Sequence, residues 1–559
     1  MATAVVARIE GLGEVLICEK TSQVGGTTAT SGGTTYIPGN SLGQRRAERD
    51  TLEAIQTYLD TIVGDEASGL RDAFLKSGPE AVDYFDRNTE IRYSSMDPYP
   101  DYHAERAGGA SGGRALSPLP FQARVLGKDF RKLRQPIPEF MVLGGMMVAR
   151  DEIKYLLRPW RSLRASEISA RRVLGYLVER LFHPRGTRLV IGNALVARMF
   201  HSCRQKGVEF ALNAKLEELI AEDGQVLGAV VTFAGRRLRI RSRHGVVLAT
   251  GGVAGNRQWR EKLTGEQVPY SLAFDLANGE GIEAGLRAGG QLAPGRTSSF
   301  WWVPASVITW PDGKARPYPH LRDRQKPGLI AVNSAGRRFV NEAESYNTFC
   351  LAMFEASKVT PSIPAWLICD RKFLRNYGLG AINPVWQNVR FYEKVGYVTS
   401  APTIAELADK IGVDGIALAE EVVKNNKAAE TGVDEAFGRG SFPLDQLNGD
   451  PDHGGPNPCI GKIETPPFYA CAIYPAPIGA SAGLRTDADA QVLDAHGQVI
   501  QGLYAVGNDM HSLMEGAYPG PGATLGPGLV FAYRAAMHAA GNARQRSSRE
   551  DRRVVATAV

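Results

Sequence analysis

The chain has 559 residues, of which 43% are hydrophobic and 22% charged, ordinary values for a globular protein that exclude a disordered chain or a collagen. The 62 glycines and 32 prolines exclude a long heptad rod, because they would keep interrupting it. At about 150 residues per domain the length implies three or four domains, or two large ones in an α/β enzyme. The net charge of +6 is concentrated at 154–188 and 544–553. The second of these, RQRSSREDRR, mixes acids with bases and carries no aromatic residue, so it reads as a flexible basic tail and not as a nucleic-acid contact. No run of about 18 apolar residues is present, and the opening segment lacks the features of a secretory signal. Six cysteines are scattered without a Cys-x-x-Cys pair, which points to a reducing, cytoplasmic setting and to neither a disulfide scaffold nor a metal site.

In chain order, AVVARIEGLG reads as the end of a helix closed by Gly11 and Gly13, and EVLICEK as a short strand ending at Glu19 and Lys20. The glycine-rich loop TSQVGGTTATSGGTTYIPGN follows. Together they form the second half of a βαβ dinucleotide-binding unit, in which the acid at the strand end accepts hydrogen bonds from the adenosine ribose. The first half, a strand leading into Gly-x-Gly-x-x-Gly, is missing from the chain as it starts. The start is therefore misplaced, the protein truncated, or pyrophosphate binding weakened. The basic stretch 154–188 interleaves Leu, Trp, Val and Phe with Arg. It reads as a surface helix whose Arg stems pack on apolar neighbours, with contact to an anionic membrane surface as the alternative.

GNALVARMFHSCRQKG has helical periodicity, and VEFALNAKLEELIAEDGQVLGAVVTF reads as strands with a hairpin turn at Asp223-Gly224. GVVLATGG is a strand running into Gly251 and Gly252, a pattern that lets a backbone approach a ligand closely. The stretch 273–469 carries more aromatic residues and loops, with helix at 403–429, and is assigned to a cap domain. The end of the chain alternates strand and loop, then enters a Pro-Gly turn and a last helix.

EKTSQVGGTTATSGG, GVVLATGG, NSAGRRFVNEAESY and GLYAVGND with YPGPGATLGPGLVFAYRAA, in this order, resemble the fumarate reductase/3-ketosteroid dehydrogenase flavoprotein superfamily over nearly the whole chain. The resemblance implies an α/β fold with FAD as cofactor. A Rossmann-like FAD-binding domain, N-terminally incomplete, would span 1–272 and resume at 470–543. An inserted α+β catalytic cap would occupy 273–469, and 544–559 would be the tail. It also implies FAD contacts at Glu19, Lys20, Gly25, Gly26 and Thr27, and at Ser31, Gly32 and Gly33 near the isoalloxazine. Ala214 would meet adenine, Gly251 and Gly252 would line the cofactor, and Asn508 with Ala523, Thr524 and Leu525 would lie by the flavin ring.

Fumarate reductases carry a His-Thr-x-Gly-Gly type block for a dicarboxylate; the corresponding stretch here is APIGASAGLRTD, without histidine. RTSSFWWVP offers the aromatic wall Phe300, Trp301 and Trp302, which suits a flat apolar ring system or else fills a domain seam. The run Tyr518-Pro519-Gly520-Pro521-Gly522 resembles the ketone-binding run of 3-ketosteroid Δ1-dehydrogenases, placing the Tyr518 hydroxyl and the Gly522 amide as an oxyanion hole. Tyr346 in NEAESY takes the position of that family's general base, and Tyr102 in YPDYHAERAGG the position of its helper, although His103 stands where the family has a second aromatic residue. The implied reaction removes hydrogens from carbons 1 and 2 of a 3-ketosteroid, the flavin accepting hydride at its nitrogen 5, with electrons passing on to an acceptor the chain does not identify. A fumarate reductase-like or other enone-reducing flavoprotein, a Δ4-(5α)-ketosteroid dehydrogenase and a truncated inactive flavoprotein are the alternatives.

Overall fold

A computed structural model describes residues 1–45, 50–64, 68–137, 141–149, 152, 155–156, 159–310, 312–384 and 388–557. The helix Ala2–Ile9 gives way to Gly11 and Gly13, both at positive φ (+86° and +73°). The strand Leu16–Glu19 follows and pairs in parallel with Glu209–Leu212. The helix Ile191–Gln205 lies beside this pair, burying Leu195, Val196 and Phe200.

At Asp223 and Gly224 φ is +50° and +74°. Positive φ at both turn residues matches the twist of a hairpin, and Ala214–Glu222 pairs antiparallel with Gln225–Phe233. A second turn of this kind, at Ala234–Gly235 (+49° and +74°), adds Arg236–Arg241. On the other side Val499–Ala505 joins the sheet and runs parallel to Val246–Leu248. The last helix, Leu525–Thr557, packs against Ala2–Ile9 and Ser68–Asn88. Its backbone continues through the stretch whose mixed charge suggests a flexible tail, a stretch rich in the good helix formers Arg, Gln and Glu.

A second sheet is antiparallel throughout, in the order Ala315–Pro319, Phe300–Thr309, Phe468–Ala480, Ala365–Asp370, Leu329–Val332, with Thr399–Ala401 also on Phe468–Ala480. Position 470, where the sequence suggests a return to the first part of the chain, falls inside Phe468–Ala480. That strand is an apolar run buried along nearly its whole length, as a central strand covered on both faces must be. The helical stretch near 403–429 is two helices, Ile404–Ile411 and Gly415–Thr431, parted at Gly412 (φ +71°). The Asp414 carboxylate caps the second, accepting from the Ile416 and Ala417 amides at 2.9 and 3.0 Å.

Behind this sheet the buried Glu342 accepts from Arg338 Nε and Nη2 at 2.7 and 2.6 Å, from Arg439 Nη1 at 3.3 Å and from the Ala331 amide at 3.0 Å. Burial pushes this carboxyl up, but the two guanidiniums hold it below the usual range. Glu342→Ala would strand buried cations and is expected to cost about 3–5 kcal/mol, read as a lowered urea midpoint followed by tryptophan fluorescence.

Candidate active site

Tyr518 stands on the turn that leads into the last helix. The turn is packed tightly on the strand Thr35–Tyr36. At Gly522 (φ +95°) a Cβ would lie 2.4 Å from the Thr34 carbonyl oxygen, and at Gly520 it would lie 2.5 Å from the Tyr36 ring. The Tyr36 amide donates to the Gly522 carbonyl at 3.1 Å. These glycines are needed for backbone contact within the protein, whatever the Gly522 amide binds besides. Tyr346 is the first residue of the helix Tyr346–Ser357, whose start is capped by Ser345 accepting from the Thr348 amide at 3.2 Å. Tyr102 comes from a loop, its amide donating to the Pro519 carbonyl at 2.9 Å, while the Tyr58 hydroxyl donates to that same oxygen at 2.6 Å.

These contacts bring three phenols from distant parts of the chain together. The Tyr102 and Tyr518 rings are stacked with centroids 5.5 Å apart. Tyr346 meets them edge-on, at 5.5 Å from Tyr102 and 5.2 Å from Tyr518. Burial raises Tyr518 above the ordinary phenol value, while Tyr346, the Gly522 amide and the Thr524 side chain all act on its hydroxyl to lower its pKa. Tyr346 is pushed well above it, by burial first and then by Tyr102 and Tyr518.

Beneath the loop, Arg114 donates to Asp50 through Nε and Nη2 at 2.8 Å each, to Asp101 Oδ2 through Nη1 at 2.7 Å and to the Gly108 carbonyl at 2.8 Å. Burial pushes Asp101 up to about 6, although Arg114 opposes it. His103 Nε2 lies 3.4 Å from Thr348 Oγ1, and burial lowers its pKa against the pull of Glu105. Asp101, Arg114 and Tyr58 were not singled out from the sequence; only the acid next to Tyr102 in the Pro-Asp-Tyr run hinted at them.

On the side of the glycine loops, Glu19 ends its strand with Oε1 accepting from the Thr21 amide and hydroxyl, each at 2.9 Å, which leaves Oε2 for a ribose. Lys20 pairs with Glu280 at 2.7 Å. The Thr27 hydroxyl accepts from the Phe274 amide at 2.9 Å, and Ala214 is buried at the start of its strand. Gly25 and Gly26 have φ of +125° and +49°, with open space where a Cβ of Gly26 would point. The loop Ser31, Gly32 and Gly33 is seated on Gly192, where a Gly33 Cβ would come within 2.6 Å of the amide nitrogen. Gly251 and Gly252 also have positive φ, and a Gly252 Cβ would meet the Asn508 carbonyl at 2.6 Å. The Gly252 amide donates to Asp509 at 2.8 Å and the Thr250 hydroxyl to the same carboxylate at 3.0 Å. Asp509, passed over for its neighbour Asn508, ties these loops together. A strand-end carboxylate, a glycine loop open at Gly26, and the start of the last helix at Ala523, Thr524 and Leu525 fit an adenine dinucleotide.

Of the aromatic wall, Trp301 faces the phenols, edge-on to Tyr518 at 6.3 Å with Nε1 donating to the Ala517 carbonyl at 3.1 Å. Trp302 packs on Phe354 at 4.9 Å and donates to Ser298 Oγ at 2.9 Å, and Phe300 packs on Trp302. All three are buried.

Such a set of glycine loops beside clustered phenols defines a flavin-dependent type of site. The FAD binding domain family model matches residues 1–525, and the chain belongs to that family, with FAD as its cofactor. It is 36% identical to the 4-oxocyclohex-2-ene-1-carboxylate 5-dehydrogenase of Sinomonas cyclohexanicum, over 99% of this chain and 93% of that one. It is 34% identical to the 3-oxosteroid 1-dehydrogenase of Mycobacterium tuberculosis, over 98% of this chain and 97% of that one. Among solved structures it resembles the 3-ketosteroid Δ1-dehydrogenase of Sterolibacterium denitrificans in complex with 1,4-androstadiene-3,17-dione, with a TM-score of 0.89, 34% identity and 97% of both chains covered.

Two residues before Tyr346, burial and the nearby Asp445 push Glu344 up to about 7. A carboxyl whose folded pKa exceeds its unfolded value, about 4.3, stabilises the fold below that value and loses this stabilisation as pH rises through the folded pKa. Glu344→Gln cannot ionise, so its melting temperature is expected to fall less than that of the unaltered protein between roughly pH 5 and pH 8, a comparison made by differential scanning fluorimetry.

Proposed function

We propose that the protein is an FAD-dependent 3-ketosteroid 1-dehydrogenase, removing hydrogens from carbons 1 and 2 of the ketone-bearing ring. The observation that carries this reading is the clustering of the Tyr518, Tyr346 and Tyr102 rings on the turn that closes at Gly522. In this reading the first sheet system is the Rossmann-like FAD-binding part and the second sheet the catalytic cap. Glu19, Lys20, Gly25, Gly26, Thr27, Ala214, Gly251 and Gly252 hold the cofactor's nucleotide, with Ser31, Gly32, Gly33, Asn508, Ala523, Thr524 and Leu525 toward its ring. Bound FAD supplies the hydride acceptor.

The chain's own residues prepare the substrate for that transfer. Tyr518 and Gly522 donate to the ketone oxygen, stabilising the negative charge that builds there as carbon 2 loses a proton. Tyr346 takes that proton, its ring held edge-on between Tyr102 and Tyr518. A phenol raised by burial is seldom ionised at neutral pH, but its anion, once formed, is a strong base. Trp301 walls the phenols, with Phe300 and Trp302 backing it.

A second reading rests on the Sinomonas cyclohexanicum relative, whose substrate is a small cyclic keto acid. A carboxylate substrate needs a cation at the site. Arg114 is already taken by Asp50 and Asp101, and burial disfavours the charged form of His103, so neither is a ready partner for a carboxylate and an apolar ketone fits better. Turnover with an artificial electron acceptor on 3-ketosteroids against 4-oxocyclohexane carboxylates separates the two; activity confined to the acids would overturn the steroid reading.

Tyr518→Phe is expected to lower kcat by about 100–1000-fold while the flavin absorbance stays intact; unchanged turnover would reject the oxyanion role. Because the base must be deprotonated and its pKa lies above the ordinary phenol value of about 10, kcat/KM is expected to climb through neutral and alkaline pH without a plateau below about pH 10.

A further inference from the structure

The guanidinium of Arg134 has a stacking partner but no counter-ion. Its Cζ lies 3.7 Å from the centroid of the Phe274 ring. Among the described residues its side chain makes a single hydrogen bond, from Nη2 to Thr21 Oγ1 at 3.4 Å, and no ion pair. Nε is out of water without an acceptor. Burial disfavours the charge, and Glu19 and Asp275 oppose this only from beyond ion-pairing distance. Other buried arginines that lack a carboxylate are satisfied differently. Arg198 donates to the Leu119, Glu90 and Pro120 carbonyls, and Arg260 to those of Val268, Ala254, Gly255 and Pro269. A half-buried cation with its donors idle is costly unless an anion arrives to take them.

The place of Arg134 narrows what that anion is. Its amide donates to the Val24 carbonyl at 3.0 Å, Asn193 Nδ2 donates to its carbonyl at 2.7 Å, and a Cβ on Gly25 would lie 3.7 Å from its own Cβ. The root of the side chain is therefore fixed beside the glycine loop. The tip is at Thr21, whose amide and hydroxyl hold Glu19 Oε1. The guanidinium thus spans the stretch between the strand-end carboxylate and the glycine loop, where a dinucleotide passes from ribose to diphosphate.

Phe274 is held just as firmly. Its amide donates to Thr27 Oγ1 at 2.9 Å, and farther along the same segment Lys20 Nζ donates to the Leu276 carbonyl and pairs with Glu280 at 2.7 Å. Residues 274–280 are in this way strapped to the Lys20–Thr27 stretch at both ends. Stacking engages the face of a guanidinium and leaves its N–H edge free, and that planar edge matches a phosphate in both shape and charge.

We propose that Arg134, held flat by Phe274, is the cation that receives the diphosphate of FAD, and that the 274–280 segment is the strap that keeps it in place. The inference rests on FAD as the cofactor and not on the steroid reading, because binding is measured without substrate.

The test is displacement of flavin from the FAD-loaded full chain, followed as the rise of free-flavin fluorescence on dilution and on addition of ADP or adenosine. Arg134→Ala is expected to raise the Kd of FAD by about 10–100-fold and to weaken displacement by ADP by a similar factor. Displacement by adenosine, which carries no phosphate, is expected to stay as it was. Arg134→Lys keeps the charge but loses the planar fork, so it is expected to fall between the two and carries the comparison if Arg134→Ala retains no flavin. With the flavin stripped, all three proteins are expected to melt at the same temperature, since the guanidinium has so few partners of its own. An unchanged FAD Kd in Arg134→Ala would overturn the proposal. An equal loss for ADP and adenosine would do so too, by placing the guanidinium on the nucleoside. So would a melting temperature that falls as far in the stripped variant as in the loaded one, which would make Arg134 a support of the fold alone.

Discussion

Arg114 lies out of water with four donated hydrogen bonds, three of them to the carboxylates of Asp50 and Asp101. A buried guanidinium is tolerated only when its charge is matched and its donors find acceptors. Satisfying Arg114 closes the loop from Asp101 to Gly108 on itself. The closed loop presents the Tyr102 amide to the Pro519 carbonyl, and through that contact Tyr102 comes to stack on Tyr518. A glycine turn pressed against Thr34 sets the other side, so two rigid supports hold the phenols in register and the substrate need not assemble them.

Dryness is the common cause behind the electrostatics of the cluster. The same burial that raises Tyr346 and Tyr518 lowers His103 and lifts Asp101. It makes a phenolate rare at neutral pH, yet hydrogen bonds aimed at a developing oxyanion gain strength where water is excluded. A site of this kind suits a weakly acidic carbon beside a ketone in an apolar molecule. Arg114, already matched by Asp50 and Asp101, offers nothing further to a substrate that brings its own charge.

The apolar surface around Leu163–Arg180 follows a different logic from the core. Inside, large side chains of the second sheet are covered by other elements, Trp301 by the turn at Ala517 and Trp302 by Phe354 of the helix Tyr346–Ser357. On that helix Ser169, Arg172 and Tyr176 are the inward anchors, while Leu174, Leu177 and Val178 are exposed beside Arg164 and Arg171.

Much of the local structure is legible in the chain. Asp223-Gly224 specifies its hairpin because both residues accept positive φ, and Gly11 and Gly13 end the first helix for the same reason. The strand-end position points to Glu19, and the resemblance to the flavoprotein superfamily points to Tyr346 and Tyr518, whose rings the fold brings together. Other features were decided only when distant segments met. Phe468–Ala480 became the central strand of the second sheet through its partners on both sides, and Ala234–Gly235 closed a hairpin with little turn signal. Arg114 was recruited by two carboxylates far apart in sequence, and the outward face of Leu163–Arg180 depended on which side found anchors. Local propensity is carried by neighbours along the chain, whereas burial, pairing and the match of charges depend on what lies across the fold, which no single segment encodes.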